Sequence, residues 1–311
     1  MISKKSKIYI AGHQGMVGSS LVRLLHEKGY SNLLTKTKNQ LNLLDQLKTY
    51  RFLQNQKPDV VIIAAARVGG IFANNEYGAD FIFQNIQIQN NLIHGSYLAG
   101  INKLIFLGSS CIYPRDCKQP IKEKYMLTGS LEPTNEPYAI AKIAGLKMIE
   151  NYNKQYRTKY LCLMPCNLYG PNDNYDLRSS HFLPAMIRKI HDAKINKKKI
   201  VYLWGDGSPK RELMHVDDLS EAVIHFLNKK CTESFINIGT GKEKTIKQYA
   251  KILSKIIQYE GKLNFKTNKL NGTPRKLLDL RIAKKYNWKS KINFNKGVKQ
   301  SYLDFKENYQ K

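Results

Sequence analysis

Apolar runs alternate with longer, mixed segments through the first half of the chain. The runs at 7–11, 32–37, 59–66, 103–109 and 159–165 read as strands. The stretches between them, at 17–28, 44–54, 80–99 and 138–156, read as helices. This alternation predicts an α/β fold with a Rossmann-type, doubly wound parallel sheet, because each parallel strand pair needs a crossover. In such sheets the ligand crevice opens at the carboxyl ends of the strands. Beyond residue 170 the pattern loosens. A polar loop, Gly170-Pro171-Asn172-Asp173-Asn174, leads to a helix at 184–193 and a strand at 201–204. A helix at 217–228, a strand at 235–238 and a helix at 246–260 follow. The expected division is a cofactor-binding domain carrying the catalytic residues over 1–170. Residues 171–311 are expected to form a smaller, mixed substrate lobe that also returns strands to the sheet.

Composition adds limits. A chain of 311 residues, 42% hydrophobic and 24% charged, is ordinary for a globular protein and long enough for this architecture. No apolar run approaches a membrane span, and the basic start, Ser3-Lys4-Lys5-Ser6-Lys7, leads into a strand rather than a signal-peptide core. A cytoplasmic protein with no membrane partner is expected. Cys111, Cys117, Cys162, Cys166 and Cys231 are scattered, and Cys162 and Cys166 lack the second pair a zinc site would need. Free thiols and no metal are expected. The formal charge of +27 is spread along the chain, and its longest lysine run is Lys197-Lys198-Lys199. That argues for attraction of a phosphorylated substrate rather than for nucleic-acid binding.

Gly12-His13-Gln14-Gly15-Met16-Val17-Gly18 directly follows the first predicted strand and opens the first helix. Glycines at 12, 15 and 18 let the turn close tightly and let a pyrophosphate approach the positive helix end. NAD sites carry an acid about 20 residues further on to hold the ribose 2′-OH. Here that stretch is Thr35-Lys36-Thr37-Lys38, two cations and no acid, which predicts NADP(H) with Lys38 at the 2′-phosphate.

Tyr138 and Lys142 lie four residues apart in a predicted helix and so share one face. A free tyrosine titrates near pH ~10, and a neighbouring ammonium is expected to pull that value down toward the working range. Ser109 and Ser110 stand at the end of the fourth strand, over the crevice. A hydroxyl there hydrogen-bonds a substrate carbonyl and shares its proton with Tyr138. Ser109, Tyr138 and Lys142 together predict carbonyl reduction. They resemble the short-chain dehydrogenase/reductase superfamily, in its extended branch acting on nucleotide sugars.

Longer blocks narrow the resemblance. They include Ala64-Ala65-Ala66-Arg67-Val68-Gly69-Gly70-Ile71, Ser109-Ser110-Cys111-Ile112-Tyr113-Pro114 and Leu131-Glu132-Pro133-Thr134-Asn135-Glu136-Pro137-Tyr138-Ala139-Ile140-Ala141-Lys142. Further blocks are Asn167-Leu168-Tyr169-Gly170-Pro171, Arg211-Glu212-Leu213-Met214-His215-Val216-Asp217-Asp218 and Gly272-Thr273-Pro274-Arg275-Lys276. Over nearly its whole length the chain resembles the GDP-L-fucose synthase family, the GDP-4-keto-6-deoxymannose 3,5-epimerase-4-reductases. The resemblance implies NADPH, a GDP-sugar substrate and a homodimer. It implies that Cys111 and His181 exchange protons at C3 and C5, that Ser109 and Tyr138 steady the enolate, and that Lys142 also holds the nicotinamide ribose. Further implied cofactor contacts are Gln14, Met16, Val17, Ala65, Ser110, Pro165, Asn167, Leu168 and His181. Lys189, Trp204, Arg211 and Asp279 are the implied substrate contacts. The chemistry is coherent. A C4 ketone acidifies the C3 and C5 protons, and inversion needs two acid/base groups on opposite faces. A thiol and an imidazole both titrate near neutrality.

The chain departs from the family at several positions. Gln14 and Lys38 stand where arginines are usual, which weakens planar contacts to a 2′-phosphate. Asn172 replaces the histidine of the family's Gly-Pro-His-Asp-Asn, and Cys166 replaces a threonine. Residues 172–178 precede His181 and are expected to border the sugar. Two other readings stay open: a C4-reductase of a GDP-4-keto-6-deoxy-heptose without epimerase activity, and a reductase-fold binding or regulatory protein.

Overall fold

A computed structural model describes residues 2–267 and 273–309. Its first half runs β1 (Ile8–Ala11), α1 (Met16–Glu27), β2 (Leu33–Leu34), α2 (Gln46–Gln56), β3 (Val60–Ile63) and α3 (Ile71–Glu76). It continues with α4 (Gly78–Leu98), β4 (Lys103–Leu107), α5 (Glu136–Tyr156) and β5 (Lys159–Pro165). Then come β6 (Asn167–Tyr169), α6 (Phe182–Ile195), β7 (Ile200–Trp204), β8 (Lys210–His215), α7 (Val216–Leu227) and β9 (Phe235–Ile238). The last elements are β10 (Glu243–Thr245), α8 (Ile246–Ile257), β11 (Lys262–Lys266), β12 (Arg275–Lys276), α9 (Arg281–Lys285) and α10 (Phe294–Asn308).

Among the described residues, six parallel strands form a sheet in the order β2-β1-β3-β4-β5-β9. Every position of β1 and β3 is buried, and β4 and β5 are exposed or half-exposed only at their first residue. Continuous burial of Val-, Ile- and Leu-rich strands is what helices on both faces require. The chain builds outward from β1 to β2, then restarts at β3 on the other side, so the switch point lies between β1 and β3. The strand expected over 32–37 shortens to Leu33–Leu34. Thr37 and Gln40 exchange hydrogen bonds at 3.0 and 3.3 Å, and this local turn leads the chain off the sheet edge.

Two hydrophobic cores result. One surrounds the six-stranded sheet. The other gathers α6, α8 and α10 around Tyr169, Tyr175, Leu213 and Tyr249. The chain crosses back to the first core twice, once through α7 and β9 and again at Leu278 and α9. Ser20 of α1 lies 2.8 Å from Ser220 of α7 and donates to Asp217 at 2.7 Å. β8 joins the pieces of the second half. It pairs with β6, β10 and β12, and its buried Glu212 accepts from the backbone N–H groups of Thr240 (2.6 Å), Gly241 (2.6 Å) and Leu278 (2.9 Å).

No helix among the described residues is long and apolar enough to cross a membrane. The five cysteines are unpaired, and no cluster of three or more His, Cys, Asp or Glu among the described residues is placed to hold a metal.

Candidate active site

The glycine loop lies at the carboxyl end of β1. Gly12 has φ +85°, and a Cβ there would sit 2.6 Å from the Ala65 nitrogen, so the loop is pressed against the chain leaving β3. A Cβ on Gly18 would run into the Gly12 carbonyl. α1 begins with Gly15 at its N-cap and no side-chain cap, which leaves the first helical N–H groups for a ligand. This cradle fits a dinucleotide pyrophosphate. Gln14 and Gly15 are exposed at its rim, with Met16 and Val17 partly covered behind them. At the β2 side Lys36 is half-buried and Lys38 exposed. With no acid between Thr35 and Lys38, this donor set fits a 2′-phosphate.

The candidate reacting groups sit where β4 ends. Ser109 accepts from the Cys111 N–H at 3.4 Å and caps a 3-10 turn, Ser110–Ile112, that holds Cys111 buried. Tyr138 enters on the first turn of α5, whose start is fixed by Pro137. One turn on, Lys142 is buried, donates to the Leu107 carbonyl at 2.8 Å and lies 5.7 Å from the Tyr138 ring centroid. A cavity of about 290 Å³ is lined by Ser109, Ser110, Cys111, Tyr138, Asn167 and His181, and farther along by Lys189, Trp204, Arg211 and Lys276.

The expected depression of the Tyr138 pKa is reversed. Burial pushes the phenol above its ordinary range, Cys111 adds to this, and the Ser109 hydroxyl offsets part of it. Lys142 is driven down to about 8, chiefly by burial. Removing water penalises the charged form of each group, and at this site burial is the largest cause for both. Tyr138 therefore stands in the cavity as a neutral acid.

His181 occupies the N-cap of α6 without making a side-chain cap, so its ring is not committed to the helix end. It is accessible from the cavity, yet the atoms around it push its pKa below the ordinary histidine value. Its approach is set from across the site. The Gly70 N–H donates to the Ser179 carbonyl at 2.8 Å, and a Cβ on Gly70 would collide with the Ser180 carbonyl.

Toward the other end, Trp204 is 53% exposed at the end of β7, with the Lys189 ammonium 5.0 Å from its ring centroid. Arg211 donates to the Lys210 carbonyl at 2.8 Å, and burial pushes its pKa down to about 10.

The family model described as NAD dependent epimerase/dehydratase family matches residues 8–239. The chain belongs to that family. Among curated members, GDP-L-fucose synthase 1 of Arabidopsis thaliana is 49% identical over 302 residues, 97% of this chain and 94% of that protein. GDP-L-fucose synthase of Escherichia coli (strain K12) is 46% identical over 313 residues, 98% of each chain. Among solved structures, a GDP-6-OMe-4-keto-L-xylo-heptose reductase from C. jejuni superposes with a TM-score of 0.93 at 36% identity, covering 98% of this chain and 99% of that one. A GDP-mannoheptose C4 reductase from Campylobacter jejuni with NADP bound gives 0.89 at 38% identity, covering 98% and 100%.

Within this epimerase/dehydratase framework the structure gathers most residues singled out from the sequence around the cavity, and leaves two outside its lining. Asp279 does not line the cavity. Its carboxylate accepts from the Arg281 N–H at 2.9 Å and from Arg281 Nε at 3.0 and 3.1 Å, while its own N–H is tied to the Ile121 carbonyl. It serves the start of α9. Asn172 does not border the cavity either. Its amide donates to the Gln14 carbonyl at 2.8 Å and its N–H to Asp304 at 2.8 Å, so it ties the glycine loop to α10. Of the expected 172–178 stretch, Leu177 and Arg178 do line the cavity. Ala65 lies under Gly12, and Pro165, Asn167 and Leu168 carry the chain from β5 into β6. Gly272 falls outside the described residues.

Among the charged cavity residues, Lys276 and Glu132 appeared in the sequence only as members of family blocks, with no role assigned. Glu132 is buried, accepts from the Thr273 hydroxyl at 3.1 Å and pairs with Arg115 at 3.6 Å. Lys276 lies on a two-residue strand, too short to show any periodicity.

Proposed function

We propose that this chain uses NADPH to reduce the C4 ketone of a GDP-4-keto-6-deoxy sugar, after epimerising C3 and C5. The observation that carries the reading is the convergence of Ser109, Tyr138, Cys111 and His181 on one cavity from separate elements. The cavity also holds cations and an exposed tryptophan for a nucleoside diphosphate.

Bound NADPH supplies the reducing equivalent to C4. The residues do the rest. Ser109 donates a hydrogen bond to the C4 oxygen and stabilises it as negative charge develops. In this reading Cys111 removes a proton from one face of the ring and His181 returns one to the other. Tyr138, held neutral by burial, gives its proton to the C4 oxygen as the ketone is reduced. Lys142, buried beneath it, stabilises the phenolate that remains. Trp204 stacks on the base, and Arg211 and Lys189 meet the diphosphate. The division of labour follows the two cores: the sheet core, mainly 1–170, takes the cofactor, and the second core takes the sugar nucleotide. A homodimer is part of the proposal. Its support is the exposure of Phe83 and Leu98 on α4 and of Ile140 and Tyr156 on α5, two helices packed side by side.

A second reading, a GDP-4-keto-heptose C4-reductase, is favoured by the likeness to the two heptose reductases. One experiment separates them: NADPH with GDP-4-keto-6-deoxymannose and with its heptose counterpart, in deuterated water. Deuterium at C3 and C5 of the product supports the epimerase-reductase. Reduction without deuterium uptake supports the plain reductase, and relative rates choose the sugar. Absence of NADPH turnover on either rejects both. Cys111→Ser is expected to abolish deuterium uptake and spare reduction of an already epimerised ketone.

A further inference from the structure

Lys276 lies on the wall of the catalytic cavity, and its surroundings hold it there. The β8–β12 register puts it beside Arg211. Its neighbours are fixed in the other direction. Arg275 Nε donates to Glu243 at 2.9 Å, and the Arg275 guanidinium also pairs with it at 2.8 Å. Because alternate strand residues face opposite ways, an outward Arg275 turns Lys276 inward. The Gln119 amide brackets the residue, donating to the Arg275 carbonyl at 3.1 Å and accepting from the Leu277 N–H at 2.9 Å. The Ile121 N–H adds a bond to the Leu277 carbonyl at 2.7 Å.

Among the described residues, no hydrogen bond or ion pair engages the Lys276 ammonium. The charged and titratable groups facing it are Cys111, Arg211, Glu132 and Cys117. Arg211 repels it, and Glu132 is already held by Arg115, Thr134 and Thr273. Those facing the Cys111 thiol are Lys276 from β12, Lys142 and Tyr138 from α5, and the Ser109 hydroxyl.

We propose that Lys276 is a positioning residue that favours the thiolate form of Cys111, against the burial that opposes it, when that side chain takes a proton from carbon. The proposal rests on the reading of Cys111 as a proton-transfer group. The thiol proton leaves to water in the cavity. The thiolate then takes the proton from C3 or C5, the C–H electron pair forms the enolate double bond, and the ketone electron pair moves onto the C4 oxygen. Burial pushes the Cys111 thiol up, and Lys276 is the largest of the neighbours pulling it back, ahead of Ser109 and Lys142. Removing that cation moves thiolate formation to higher pH.

The test is peptide-resolved alkylation of Cys111 by iodoacetamide across a pH series, in the full chain. In Lys276→Met the profile is expected to move up by about one pH unit, roughly a tenfold slower reaction near neutrality. Lys276→Arg restores the original profile, and Cys231 in the same samples is unchanged. Gln119→Ala, which loosens the bracket without touching the charge, shifts the Cys111 profile in the same direction by less. It also supplies the answer if Lys276→Met fails to fold. A parental profile in both Lys276→Met and Gln119→Ala overturns the proposal. Deuterium uptake at C3 and C5 that persists in Cys111→Ser would instead reject the role of Cys111 in epimerisation. The alkylation result stands apart from that outcome, so the two failures are distinguishable.

Discussion

In the proposed reading Tyr138 carries the proton, and its phenol is separable from its packing. The ring lies edge-on to Phe81 with centroids 6.3 Å apart, a contact phenylalanine can keep. Tyr138→Phe is therefore expected to lower the reduction rate by about 10²–10⁴-fold. Its thermal midpoint should match the parent's, as steady-state NADPH oxidation beside a melting curve will show. Gly70→Ala tests the placement of His181. A methyl group there meets the Ser180 carbonyl and displaces the entry to α6. Deuterium uptake at C3 and C5 is expected to fall more than reduction does, and equal losses of both would reject the link. Spacing and strand position pointed to Ser109, Tyr138 and Lys142, whereas Cys111 and His181 were marked through resemblance to a family's blocks. The direction of the Tyr138 shift was hidden, since spacing reports proximity and says nothing about lost water. The partner of Asp279 was hidden for a related reason: a carboxylate's partners are set by three-dimensional neighbours, here Arg281.

Elements with a long apolar run were legible, and β5 runs over the expected 159–165. β8 was not, because Lys210-Arg211-Glu212 gives half of it to charge. It forms a strand because Glu212 is satisfied by three backbone N–H groups from two other segments. Glu212→Ala leaves the buried Leu278 N–H unpaired, at about 1–3 kcal/mol, while the Thr240 and Gly241 N–H groups are nearer water. A loss of about 1–3 kcal/mol in urea unfolding is expected, with Glu212→Gln losing less because its carbonyl oxygen still accepts. Equal stabilities of the parent and Glu212→Ala would show that β8 does not depend on this carboxylate. The short strands β10 and β12 escape sequence reading likewise, for their pairing with β8 is what defines them.

For the molecule as a whole, the alternation of strand and helix revealed the parallel sheet. It did not reveal the ties between the cores, which join residues far apart in the chain. Within the second core Asp173 lies in another long-range tie, its backbone carbonyl accepting from the Tyr309 hydroxyl at 2.7 Å. Burial raises its carboxyl to about 7, with Asp304 adding to the rise and the Asn174 N–H opposing it. The unfolded value is about 3.9. A carboxyl raised on folding favours the native state most below its unfolded pKa, and that contribution is lost as pH rises toward about 7. Asp173→Asn keeps an acceptor for the Asn174 N–H and has no charge to bury. Its melting temperature is expected to exceed the parent's at pH ~8 and to vary less between pH ~5 and ~8. Parallel curves for the two proteins would remove Asp173 as the source of the pH dependence. The sheet itself also has a history in time. β5 ends at Pro165 and its partner β9 begins at Phe235, so 235 − 165 = 70 positions separate them. At ~5–20 residues per second on the ribosome, β5 waits roughly 4–14 s with an apolar edge unpaired. That interval is when a holdase chaperone has most to grip, and slower translation lengthens it.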